Sequence, residues 1–289
     1  MDQQKNDGGY PWTLAVGAWG DVLCAYGNIK KLIEGRHDKA NVVYFGLDGN
    51  VCDFLKAQKD VNKVSWLKTS LPRTINKYYR LAANDFPAFL KETGLGDQLP
   101  DIAQTNVRDD YPTACNRFSE VDLPPEQGDW RTFLPEKYVL FQPYSVQSCE
   151  SFHHWPHWKG ACDWLEGNFG IPVVMAGELT EDRQDWFPLG VGDKVVNIVG
   201  QTKCMTDLLH IADRAAMLVT TSNSLSVWSA ARGIPALVVC NKIIKDRSPY
   251  YYEWICHGNN RVLDYDTTLD DFVSGLSPVM DLLRRHAAV

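Results

Sequence analysis

Four turns in the sequence carry residues able to hold charge or move a proton, and each comes after a short apolar run. The first is Gly17-Ala18-Trp19-Gly20-Asp21. Its glycines let the backbone approach a ligand closely, and the helix start after them favours negative charge. Asp21 stands at the helix mouth, where it can cap the helix or accept a proton. A capping carboxylate stays ionised, so both roles are open. The dinucleotide pattern GxGxxG is absent here, so neither a nicotinamide nor a flavin cofactor is expected. The second turn, Ser222-Asn223-Ser224-Leu225-Ser226, places hydroxyls beside the free N–H groups of a helix start. That is either a phosphate site or a serine-capped helix. The third stretch, 151–158, holds His153, His154 and His157. Only His153 and His157 have helix-face spacing, Pro156 lies between them, and no carboxylate motif completes a metal site. An anion contact or base stacking is the expected use. In the fourth, Gly177 to Asp182, the carboxylates of Glu178, Glu181 and Asp182 either hold ribose hydroxyls or form a solvated first helical turn.

Two charged stretches add to these. Between Lys56 and Arg80 there are seven basic residues and one acid, Asp60, with Trp66, Tyr78 and Tyr79 interleaved. A solvated face explains that pattern, and so does a dock for an anionic acceptor, in which Trp19, Lys68, Arg73, Lys77 and Arg80 are the candidate contacts. Asp264-Tyr265-Asp266 has the spacing of a DxD metal motif but precedes a helix, so it reads as loop and N-cap.

The scaffold for these groups is set by the apolar pattern. Strands are expected at Trp12–Val16, Asn41–Phe45, Val61–Leu67, Tyr138–Gln142, Pro172–Met175, Val195–Val199, Met217–Thr220 and Pro235–Cys240. Helices are expected over Val22–Glu34, Asn50–Lys59, His157–Gly167, Thr206–Ala215, Ser224–Arg232 and Leu269–Arg285. Strands alternating with helices at this spacing make parallel sheets with helices on their faces. Residues 119–136 contain three prolines and one glycine and read as a connector. The chain therefore divides into an N-terminal lobe, 1–130, and a C-terminal lobe, 131–289, whose last helix packs back on the first lobe.

The 289 residues are 45% hydrophobic and carry a formal net charge of −7, which excludes wholesale disorder and a uniformly basic nucleic-acid binder. Eight scattered cysteines form no CxxC pair and fit no zinc framework, as expected of buried thiols in a reducing compartment. No apolar run has the length of a membrane span, and the first residues lack a secretory profile, so a soluble, cytoplasmic chain that acts as a monomer is expected.

Taken together, these segments resemble glycosyltransferase family 9, the ADP-heptose:lipopolysaccharide heptosyltransferases. Gly20-Asp21 is similar to the family's Gly-Asp pair at the first helix. His153-His154-Trp155-Pro156 is similar to its Lys-x-Trp-Pro motif, with His153 at the lysine position. Gly177 to Asp182 resembles its glycine turn with following glutamates, and Ile198-Val199-Gly200-Gln201-Thr202 its Leu-x-Gly-x-(Ser/Thr) stretch. Asn223 to Trp228 resembles its Asp-(Ser/Thr)-Gly-x-x-His turn, and Ala230-Ala231 with Gly233-Ile234-Pro235 the Ala-Ala and Gly-x-Pro beyond that turn. Residues 60–130 match no motif. The resemblance implies an α/β fold of two Rossmann-like lobes facing across a cleft (GT-B type). It also implies an inverting, metal-independent glycosyltransferase that moves a sugar from a nucleotide-diphospho-sugar, with no other cofactor. In that role Asp21 is the base. His153, Ser224, Leu225 and Ser226 hold the donor diphosphate, Asn223 the donor sugar, and Glu178, Glu181 and Asp182 the nucleoside. The acceptor is a bacterial glycan of lipopolysaccharide type. Three alternatives remain: a phage-type DNA glycosyltransferase acting on a hydroxylated base, a non-catalytic nucleotide-sugar-binding protein, and a nucleotide-sugar epimerase or hydrolase.

Overall fold

The computed structural model describes residues 9–287, apart from 18, 36, 47, 69–76, 79, 83, 100, 105–120, 144–154, 169, 178–194, 242–244, 247–251 and 254. The chain forms two compact units, Met1–Pro124 and Pro125–Val289, and the boundary falls at the Pro-Pro pair inside the proline-rich connector.

The first unit begins with β1 (Trp12–Val16), α1 (Trp19–Ile33), β2 (Ala40–Gly46), α2 (Gly49–Ala57) and β3 (Val61–Lys68). α3 (Phe86–Thr93), α4 (Leu95–Gln98) and β4 (Ala103–Gln104) come next. Its strands lie in the order β3-β2-β1-β4, and the pairs are parallel. Leu14, Val16, Val43 and Phe45 of the two central strands pack against Phe89, Leu95 and Ile102 from the second half of the unit. α3 has its own start and stop signals: the Asp85 carboxylate accepts from the Ala88 N–H (3.1 Å), and Gly94 turns the chain at φ +68°.

The second unit contains α5 (Trp130–Phe133), β5 (Val139–Gln142), α6 (Trp158–Asn168), β6 (Val173–Met175) and β7 (Val195–Asn197). It continues with α7 (Met205–Arg214), β8 (Met217–Thr221), α8 (Ser224–Arg232), β9 (Ala236–Cys240), β10 (Asn260–Asp264) and α9 (Leu269–Ala287). The strand order is β10-β9-β8-β5-β6-β7, again with parallel pairs. A parallel sheet is covered on both faces, so its central strands are continuous apolar runs rather than alternating ones. β8 and β9 are buried along their whole length. Phe272, Leu276 and Val279 of α9 enter the core of this unit together with Trp155 and Trp158.

Three differences from expectation have a local physical cause. α1 begins at Trp19 rather than Val22, because Gly20 is accommodated in the first turn. β7 stops at Asn197, whose side chain accepts from the Val199 N–H (3.0 Å) and turns the chain. Asp264 ends β10, and the cap of α9 is Thr268 with Asp271, joined by reciprocal side-chain-to-amide bonds of 3.1 and 3.2 Å. Asp264-Tyr265-Asp266 is therefore not the N-cap.

The segment around the boundary is pinned within each unit. In the first, the buried Gln58 amide donates to the Phe54 and Asp122 carbonyls (2.7 and 2.6 Å) and accepts from the Asp122 N–H (3.1 Å). In the second, Arg214 holds Glu126 through two bonds of 2.7 and 2.9 Å, and the Gln127 N–H donates to Asp207 (2.7 Å). Gln58→Leu leaves those carbonyls and one N–H without their partner, at a cost of about 1–3 kcal/mol. It is expected to lower the urea midpoint of the first unit and speed proteolysis near Asp122; unchanged stability and cleavage would contradict the clamp.

Candidate functional site

In parallel α/β sheets, ligands collect beyond the carboxyl ends of the strands. In the first unit that end is built from the turns after β1 and β2. Gly17 leaves β1 at φ +122°, a conformation suited to glycine, and its N–H donates to the Phe45 carbonyl (3.2 Å). Asp21 sits in the first turn of α1, not at its N-cap, and its side chain lies against Gly17. The negative charge there suits the positive end of the helix dipole. The turn after β2 carries Asp48, the N-cap of α2, which accepts from Asn50 through the backbone N–H and the side-chain amide (both 2.9 Å).

Trp19 belongs to this framework, not to an acceptor surface. It is 7% exposed, its indole N–H donates to Asp48 (2.7 Å), and its ring meets Phe54 edge-on at 5.4 Å. The buried Tyr44 hydroxyl donates to the Gly17 carbonyl (3.3 Å). Burial raises its pKa well above the ordinary tyrosine value, with the nearby charges of Asp48 and Asp21 adding to the shift. Neither Tyr44 nor Asp48 stood out in the sequence. The signal available was the second glycine-bracketed acid, Gly46-Leu47-Asp48-Gly49, which repeats the pattern of the first turn.

The second unit centres on Asn223, the N-cap of α8. Its side-chain oxygen accepts from the N–H groups of Leu225 (2.7 Å) and Ser226 (3.3 Å). Its side-chain nitrogen donates to Gln142 at the end of β5 and to Thr220 of β8 (2.9 Å). Ser226 returns the cap: its hydroxyl donates to the Asn223 carbonyl (2.7 Å) and accepts from the Asn223 N–H (3.1 Å). A carboxamide has two donors and two acceptor sites, and all four are used. These bonds bear on three expected ligand contacts: a donor sugar would have to compete for the Asn223 carboxamide, and a diphosphate for the N–H groups of Leu225 and Ser226. Ser226 is, in addition, fully buried. Ser224, half-exposed, is the first-turn residue outside this ring of bonds.

Trp228, at the histidine position of the resemblance, is buried. Its indole N–H donates to Asp213 (2.7 Å), the same carboxylate that Arg232 binds (2.9 Å). At the last residues of β8 and β9, Thr221 shares a hydrogen bond with Tyr265 (3.0 Å), and burial pushes the Cys240 thiol up to about 12.

In the basic window, Lys56 pairs with Asp53 (3.4 Å) and Lys77 with Glu92 (2.6 Å). Lys68 is exposed and lies over the Trp66 ring at 5.4 Å; Arg80 is also exposed. Arg73, His153, Glu178, Glu181 and Asp182 lie outside the described residues. Among the described residues, no cluster of His, Cys, Asp or Glu is placed to hold a metal ion, and no helix is long and apolar enough to cross a membrane.

No protein-family model matches the chain, and no curated protein sequence does. Solved structures do. Escherichia coli ADP-heptose lipopolysaccharide heptosyltransferase II superposes with a TM-score of 0.63 at 13% identity, over 96% of this chain and 99% of that one. An E. coli heptosyltransferase solved with ADP gives 0.55 at 16% identity, over 88% and 93%. A putative UDP-N-acetylglucosamine 2-epimerase from Listeria monocytogenes gives 0.54 at 10% identity, over 94% and 88%. The fold is the α/β fold of the GT-B class. At these identities the likeness carries the architecture, and the chemistry has to be argued from the residues.

The saturated Asn223 cap makes a direct prediction. Asn223→Ala strands the partners of four hydrogen bonds and is expected to destabilise the second unit by about 2–4 kcal/mol. Asn223→Asp keeps the cap, and Gln142 can turn its amide to donate to the carboxylate, so its cost is expected to be smaller. Urea unfolding checks the order; an Ala variant as stable as wild type would refute the network.

Proposed function

We propose that the protein is a nucleotide-sugar-dependent glycosyltransferase. The observation that carries this reading is the end-to-end likeness to the E. coli ADP-heptose lipopolysaccharide heptosyltransferase II structure. It is supported by the acid at the head of α1, which matches the Gly-Asp pair of glycosyltransferase family 9. The proposed reaction is an inverting, metal-independent transfer from a nucleotide-diphospho-sugar to a hydroxyl of an anionic glycan of lipopolysaccharide type.

In this reading Asp21 takes the acceptor proton as the hydroxyl attacks the anomeric carbon and the bond to the nucleoside diphosphate breaks. A carboxylate is a weak base in water, so its value lies in position. The departing diphosphate gains negative charge, and Ser224 at the N-terminus of α8 and His153 are the proposed groups to stabilise it. Glu178, Glu181 and Asp182 are proposed to hold the ribose, and Lys68, Arg73 and Arg80 to meet acidic groups of the acceptor. Lys77 already has Glu92 as a partner, so an acceptor has to compete for it.

The likeness to a putative UDP-N-acetylglucosamine 2-epimerase structure favours one second reading, a nucleotide-sugar epimerase. The two differ in what becomes of the donor: a transferase releases nucleoside diphosphate and its sugar appears on an acceptor, whereas an epimerase leaves an isomeric nucleotide-sugar.

Asp21→Asn tests the assignment. Nucleoside diphosphate release from a panel of nucleotide-sugars is expected to fall by roughly 100-fold or more, the scale of a lost general base. Donor binding measured by calorimetry is expected to stay within about twofold, because the base does not hold the donor. Wild-type-like turnover would remove Asp21 from the mechanism.

A further inference from the structure

The turn that carries Asp21 is held from the neighbouring strand. Gly17 is the residue type most free to change backbone conformation, yet it is fixed on both sides. Its N–H donates to the Phe45 carbonyl at 3.2 Å, and its carbonyl accepts from the Tyr44 hydroxyl at 3.3 Å. That hydroxyl sits at the end of β2 and the Gly17 carbonyl at the end of β1, so this bond, with Gly17 N–H to Phe45, ties the first turn to the neighbouring strand. Tyr44 reaches this point because Gly46 is bare: a Cβ there would collide with the Tyr44 ring. On the open side of Gly17, a Cβ would lie 2.7 Å from Cβ and Cγ of Asp21. The Asp21 side chain thus rests on the backbone face that Tyr44 holds still.

We propose that Tyr44 is a positioning residue for sugar transfer, in which its hydroxyl fixes the Gly17 peptide and that peptide sets the Asp21 carboxylate, taking Asp21 as the base proposed above. The tyrosine does not exchange protons in this role. Burial and the charges of Asp48 and Asp21 keep it protonated, so it remains a donor to Gly17. Without the hydroxyl, the peptide after Gly17 is free to rotate about a residue with little conformational preference. A carboxylate displaced by about 1 Å from its working position is expected to lose on the order of 100-fold in rate.

The test is Tyr44→Phe, which keeps the ring and removes one oxygen. Three measurements are made on the full chain: its crystal structure, its melting temperature, and nucleoside diphosphate release from UDP-glucose and ADP-glucose. The variant is expected to fold, with Gly17 rotated and the Asp21 carboxylate moved by about 1 Å from its wild-type place. kcat is expected to fall roughly 10- to 100-fold with KM for the nucleotide-sugar unchanged, a split that general destabilisation would not produce. Added to Asp21→Asn, Tyr44→Phe is expected to cause no further loss, since its effect passes through the carboxylate. A Tyr44→Phe structure with Gly17 and Asp21 unmoved overturns the proposal, as does wild-type kcat in that variant while Asp21→Asn is inactive. Full turnover by Asp21→Asn instead overturns the base assignment, and the crystal structure then still decides whether Tyr44 sets that side chain.

Discussion

A buried carboxamide that has spent all four of its hydrogen bonds holds together the strand ends and the helix start of the second unit. Asn223 joins the end of β5, the end of β8 and the first turn of α8 through one side chain. Thr220, Leu225 and Ser226 sit where water is excluded, and an unmade bond there would cost about 1–3 kcal/mol. The network therefore holds the first-turn amides of α8 in the fold, and a diphosphate would have to compete with it for them. Ser224 stands at the rim of the same helix end.

The first unit solves the opposite problem. Its acid stands in the first turn of α1 beside a glycine whose missing side chain makes the room. The turns after β1 and β2 are cross-tied by Gly17 to Phe45, by Tyr44 to Gly17, and by Trp19 to Asp48. A carboxylate becomes useful as a base only when its surroundings fix it, and here the surroundings are two strand ends locked together. Trp19 shows the cost of that arrangement for prediction: an aromatic beside the acid looks available to a substrate in sequence, yet its ring and N–H are consumed in holding Asp48.

Much of the fold was legible, for reasons that particular elements make clear. β1 and α8 match expectation residue for residue, because a short, mainly apolar run and an Asn-to-Gly capped helix are unambiguous locally. β4 has two residues and β10 is an edge strand with exposed Arg261, so neither carries an apolar run to detect. α3 had readable signals in Asp85 and Pro87 but lay in a stretch with no motif to draw attention to it. Of the site, Asp21 was legible from its glycine turn. The saturation of Asn223 was not, because it depends on Gln142 and Thr220, which are distant from each other in sequence and meet only through the β5–β8 pairing. The burial of Trp19 and Trp228 was hidden for the same reason: their partners, Asp48 and Asp213, come from outside their own helices.

A nucleotide-sugar enzyme must first bind a nucleoside diphosphate, and that step is open to a direct test. The melting temperature of the full chain should be measured with UDP, ADP, GDP, CMP and dTDP, each with and without Mg²⁺. Binding to the native state raises it by mass action, by several degrees at concentrations about 100-fold above Kd. The account predicts a rise with one base in preference to the others, of equal size in the presence and absence of the metal. No rise with any nucleotide would contradict it.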